Sequence, residues 1–197
     1  MCAMAKARDI PGLESSAPFA RAAGEAVSVR GQELFDHAAD VLDTQDIERV
    51  HDMRVASRRL RAVLEIFAPC FPRDQHKAVL REVKALADAL GARRDPDVQL
   101  AGLEKMAGAL RQAEQPGLRV LTEQLRTEQE EGNRTLARAL EHARQSDLPA
   151  RVRALALAAL DEAGGAEADG PGAPGPEAPE TLQGDGRGTE HARPVVT

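Results

Sequence analysis

Between Val50 and Arg61 the chain reads Val-His-Asp-Met-Arg-Val-Ala-Ser-Arg-Arg-Leu-Arg. On a helix, where each residue advances about 100°, Arg54, Arg58 and Arg61 fall at about 300°, 340° and 280° from His51. Met53, Ala56, Leu60, Val63, Leu64 and Phe67 fall on the opposite side, and Arg59 projects laterally. Lys77, Arg81 and Lys84 repeat the pattern further on, opposite Val83, Leu86 and Leu90, with Arg93 and Arg94 following. Glu48 and Glu65 lie only at the ends of the first stripe. Crowded cations repel one another, and a stripe without interspersed acids suits a polyanion lying along it. Arginine forks grip phosphate oxygens with paired hydrogen bonds, and lysines act as mobile point charges. His51 can add a donor and gains charge below about pH 6.5. A solvated surface face is the plainer use of the same pattern, with Arg61–Glu65 and Lys84–Asp88 as i,i+4 pairs.

Other chemistry finds little support. Asp36, His37 and Asp40 cluster, but His37 has no second His or Cys at ligand spacing, so no metal site is expected. Ser57 follows no Gly-x-Ser-x-Gly elbow, Cys2 and Cys70 have no activating histidine nearby, and neither a phosphate-binding nor a dinucleotide glycine loop occurs. Cys70 reads as a packing residue. No catalytic residue, no cofactor and no enzyme activity are expected.

The elements that position the stripes are helical. Spacing of apolar residues predicts a helix over roughly 17–43, and a second from a cap at Thr44 or Asp46 to about Ala68, ending before Pro69 and Pro72. A third is expected over about 74–90, closed by Gly91 in a left-handed conformation. Asp95 then caps a fourth with Pro96 at its first position, a fifth runs from Pro116 to about Ala143 with a weak point at Gly132-Asn133, and a sixth covers 149–162. The fold class is all-α, an antiparallel helical bundle with no sheet.

Composition sharpens this reading. The 197 residues carry 26 Lys+Arg against 32 Asp+Glu, a net charge of −6. Eight of the acids and only two of the bases lie in 161–197, leaving 1–160 neutral overall and the two stripes locally basic. Eight Gly and five Pro in that same stretch predict a disordered acidic tail over 163–197, and 1–16 is expected to be loosely ordered. Two cysteines make no disulfide framework, and neither a secretory signal nor an apolar run of membrane length is present, so a cytoplasmic protein without membrane association is expected. The chain has no Trp or Tyr and only four Phe, which disfavours base stacking.

The string from Val50 to Arg61, followed by Leu64 and Phe67, resembles the signature of the CHAD family, the conserved histidine α-helical domain. Leu90-Gly91-Ala92-Arg93-Arg94-Asp95-Pro96-Asp97-Val98 is similar to that family's second motif, Leu-Gly-x-x-Arg-Asp-x-Asp-Val. The resemblance covers roughly 20–112 and extends more loosely to about 160, within a CHAD-like helical domain at 17–162. It implies a helical domain whose basic central groove binds inorganic polyphosphate without catalysis. Transferred by position, the phosphate-binding residues are His51, Arg54, Arg58, Arg59 and Arg61, with Lys77, Arg81, Lys84 and Arg94; Asp95 matches the second motif and doubles as the expected cap. Only the signature of the family's N-terminal half is present, since Arg134, Arg138 and His142 form a stripe without repeating the motif. Half a domain is therefore expected, and three readings follow: a homodimer completes the groove, the groove is half-open and binds weakly, or the reading frame is truncated. A homodimer is preferred, since a two-fold axis would mimic the symmetry of the two halves. Two alternatives stand beside polyphosphate: a helical protein-interaction scaffold gripping an acidic partner segment, and nucleic acid as a non-specific ligand.

Overall fold

The computed structural model describes residues 6–44 and 46–168, with side chains described to Gly164. Among these residues it contains five α-helices and a single 3-10 turn, with no strand. Helix α1 spans Phe19–Asp36, α2 Ile47–Ile66, α3 Arg73–Ala107, α4 Gln115–Gln145 and α5 Leu148–Ala168, and the 3-10 turn Ala68–Cys70 joins α2 to α3. Helix α2 packs between α1 and α3, α4 lies along α3, and α5 lies along α1. The all-α bundle expected from the periodicity is the fold observed.

Two glycines set how closely α1 and α5 approach. A Cβ at Gly24 would lie 2.6 Å from Leu160 Cγ, and one at Gly31 would lie 2.7 Å from Val152 Cγ1. The rising number on α1 meets the falling number on α5, so the pair is antiparallel. Val27 and Leu34 of α1, Met53, Leu60 and Leu64 of α2, Val83 and Leu90 of α3, Leu136 of α4 and Leu155 of α5 are fully or almost fully buried in one core.

Several boundaries differ from the sequence expectation. Helix α1 stops at Asp36 rather than near residue 43, because the chain turns through Asp40, whose φ of 54° is left-handed. Aspartate tolerates that region better than most residues. Val41 still reaches the core, but from the turn. Of the two candidate caps for α2, Asp46 serves: its carboxylate accepts from the Glu48 amide at 3.2 Å. The separate helices expected at 74–90 and after Asp95 are one helix of 35 residues, α3, with Pro96 inside it. Gly91 therefore ends nothing, and Asp95 caps nothing.

Packing against α4 explains why α3 runs through its proline. Proline lacks the N–H that would bond the carbonyl four residues back, here that of Ala92. Gly132 of α4 sits directly over that group: a Cβ there would lie 2.8 Å from Ala92 O and 2.9 Å from Arg93 Cα. The expected weak point at Gly132-Asn133 is an unbroken part of α4, packed directly on the α3 backbone. Helix α5 continues to Ala168, past the expected end at 162, and the remainder of the expected tail, 169–197, lies outside the described residues. In the N-terminal segment, the Arg8 amide donates to Glu33 and its guanidinium pairs with Asp36 at 2.7 Å.

Candidate functional site: a groove between α2 and α3

The apolar face of α2 is spent on the core, so its other face looks outward beside α3. There the two helices enclose an open groove of about 340 Å3. Arg54, Arg58 and Arg61 line the α2 wall, and Ala87, Asp88, Gly91, Ala92 and Asp95 line the α3 wall. Among the described residues, Arg54 and Arg58 make no ion pair within 4.0 Å, and neither do Asp88 and Asp95.

Glu65 sits at one end of the groove. Its Oε1 accepts from Arg61 Nε at 3.1 Å and lies 3.0 Å from Lys84 Nζ, so it joins the walls. Hydrogen bonds from Lys84 and Arg61 hold its carboxyl below the usual range. The Arg61–Glu65 pair expected from spacing is present; Lys84 reaches across to Glu65 instead of to Asp88. At the other end, Arg94 Nη1 donates to the Ile47 carbonyl at 3.2 Å and Nη2 lies 3.7 Å from Glu48. Arg94 thereby fastens the first turn of α2 to α3.

The remaining sequence candidates are dispersed. Arg59 is turned toward α1. Burial acts to raise the Glu33 carboxyl there, but hydrogen bonds from the Arg8 amide and Arg30, with the charges of Arg30 and Arg59, outweigh it and hold the group below its usual range. The Nε2 atom of His51 is buried without a hydrogen-bond partner, as is Asp52 Oδ1. Arg81 is exposed on α3, and Lys77 borders a separate, largely apolar cleft with Pro69, Phe71 and His76. The structure thus brings together Arg54, Arg58 and Arg61, adds Lys84 through Glu65, and sets His51, Arg59, Lys77, Arg81 and Arg94 outside the groove lining.

The sequence reading missed two features here. Asp88 and Asp95 share the α3 face with Lys77, Arg81 and Lys84 by the same helical spacing that identified the bases. Arg93, expected in a turn, is fully buried. It pairs with buried Asp97, Arg93 Nε donates to Asn133 Oδ1 at 3.3 Å, and Gln129 Nε2 donates to Asp97 Oδ1 at 2.6 Å. Asn133 Nδ2 donates in turn to the Leu42 carbonyl at 3.0 Å, tying α3, α4 and the α1–α2 turn together. The second motif therefore supplies three groove residues, Gly91, Ala92 and Asp95, one clamp, Arg94, and both halves of a buried pair, Arg93 and Asp97.

The acidic residues beside His37 are both engaged elsewhere. Asp36 pairs with Arg8, and Asp40 lies 3.6 Å from Arg49. Among the described residues no helix is long and apolar enough to cross a membrane.

No curated protein and no solved structure matches the chain. A family model of the CHAD domain matches residues 25–189, which takes in both motifs, the groove and the later helices beyond the stretch where the motifs lie. With most of its length matched, the chain belongs to the CHAD-domain family.

Proposed function

We propose that the protein is a binding module for inorganic polyphosphate, which lies along the groove between α2 and α3. The observation that carries this reading is the arginine wall: Arg54 and Arg58 face open groove with no carboxylate within ion-pairing distance, beside Arg61. Membership of a family associated with polyphosphate supports the same ligand. A chain of phosphates offers oxygens at short, regular intervals, which suits several guanidinium forks on one helix face. The wall supplies fixed positive charge and no nucleophile, so binding rather than turnover is the proposed activity.

Titration with polyphosphates of defined length, against RNA and duplex DNA at equal phosphate equivalents, tests the proposal. Affinity for polyphosphate rises with chain length and falls steeply with salt, because each phosphate neutralised releases counterions. Replacing Arg54, Arg58 and Arg61 together with alanine abolishes binding and leaves the helical circular dichroism signal intact. A triple variant that binds like the wild type removes the groove from consideration. Light scattering in the same titration tests the proposed homodimer: a monomeric mass with and without polymer rules it out.

A further inference from the structure

We propose that Asp88 and Asp95 are specificity-determining residues, which penalise wide polyanions such as duplex nucleic acid and spare a thin phosphate chain. The inference rests on the reading of the groove as a polyphosphate site. A groove evolved only for strength of polyanion binding gains nothing from two carboxylates on its wall. Yet Asp88 and Asp95 line it, both are exposed, and neither is neutralised by an ion pair with a protein cation. Their charge is therefore directed at whatever enters.

The two walls are unlike, and that difference converts charge into a measure of width. Packed helices lie about 8–10 Å apart. A polyphosphate chain has no side groups and can lie against the arginine wall, leaving the α3 wall at a distance. Between Asp88 and Asp95 that wall is bare, with Gly91 and Ala92 at the groove. A duplex cannot take this position. The strands bordering its major groove are themselves about 12 Å apart, more than the helix spacing. Its phosphates therefore span both walls, and those above α3 meet Asp88 and Asp95. Repulsion at such distances is screened over about 8 Å at physiological salt, so the penalty depends on which phosphates are brought close.

The test compares wild type with D88N/D95N, titrated with long-chain polyphosphate and with duplex DNA at constant ionic strength. Asparagine keeps the size of each side chain. The double variant is expected to bind duplex about fivefold more tightly, from two carboxylate–phosphate repulsions removed at short range. Its affinity for polyphosphate rises less, so the preference for polyphosphate shrinks. An E128Q/E130Q variant makes the same change of net charge on α4 and shifts both ligands by one common factor. If D88N/D95N also shifts both by one factor, or shifts neither, the inference is overturned while polyphosphate binding stands. A wild-type protein that does not bind polyphosphate overturns the underlying reading instead.

Discussion

Lys84 Nζ stands 3.0 Å from Glu65 Oε1, so the carboxylate of one helix holds the lysine of the next. The same oxygen accepts from Arg61. Glu65 therefore occupies two cations that a polyanion would otherwise use. All three side chains are about two-fifths exposed, so the pairs are screened and individually weak.

Releasing those cations strengthens binding. Glu65→Gln is expected to raise polyphosphate affinity about twofold to fivefold at low salt, the scale of one or two exposed ion pairs. The gain shrinks as salt is added. Isothermal titration at two salt concentrations measures both.

Gly91 and Gly132 respond in opposite ways to an added methyl group. At Gly91 a Cβ meets nothing within 4 Å, and mid-helix glycine costs about 0.5–1 kcal/mol relative to alanine. Gly91→Ala therefore raises the melting temperature, and because the α3 wall stands off from a chain on the arginine wall it leaves polyphosphate affinity within about twofold of wild type. Gly132→Ala forces a contact with the α3 backbone, which cannot step aside, and costs about 1–3 kcal/mol. Thermal unfolding of both variants, with a polyphosphate titration of Gly91→Ala, checks the pair.

Glu82 makes stability depend on acid. Burial acts to raise its carboxyl, but hydrogen bonds from Ser146 and Arg151, aided by the charges of Arg151 and His142, hold it below the usual carboxylate range. A carboxylate with a depressed folded pKa contributes its stability above its unfolded value, and that contribution is lost as pH falls through the folded one. Wild-type unfolding free energy is thus expected to fall as pH drops below the ordinary glutamate value of about 4.3. Glu82→Gln is less stable than wild type at neutral pH, and the difference narrows on acidification. Urea titrations across that range measure the slope.

Arg93 and Asp97 separate the cost of breaking a buried pair from the cost of replacing it. Both side chains are fully enclosed. Asp97→Ala strands the guanidinium and is expected to cost about 3–5 kcal/mol. The double variant R93M/D97L leaves no charge behind, and it recovers most of that loss. Equal destabilisation in the two proteins would contradict the account.

Residue spacing made α2 legible almost completely. Its apolar positions Met53, Ala56, Leu60 and Leu64 are buried, Arg54, Arg58 and Arg61 line the groove, and Asp46 caps it. These features depend on neighbours a few residues away. Gly91 and Pro96 misled for the opposite reason: one is a local stop signal and the other a local start signal, and α3 overrides both through contact with Gly132, far along the chain. Arg93 looked like another surface base because α4, whose Asn133 and Gln129 complete the network around the Arg93–Asp97 pair, lies far along the chain. Asp88 and Asp95 were within reach of helical spacing, which places them on the face of Lys84, but each also fits a local use, Asp88 as a partner of Lys84 and Asp95 as a cap, that the structure does not bear out.

The α3–α4 hairpin carries a consequence for how the molecule opens. From residue 98 to residue 131 only Leu125 is buried among the described side chains, whereas α3 before Pro96 and α4 after Gly132 are built into the core. Amide protons in the distal hairpin are therefore expected to exchange with solvent through a local fluctuation of low free energy, and those near Leu90 and Leu136 only through opening of the whole bundle. Arg93, Asp97 and Asn133 mark the boundary between the two regimes. The groove belongs to the slow-exchanging side, so its arginines keep their spacing while the hairpin beyond breathes.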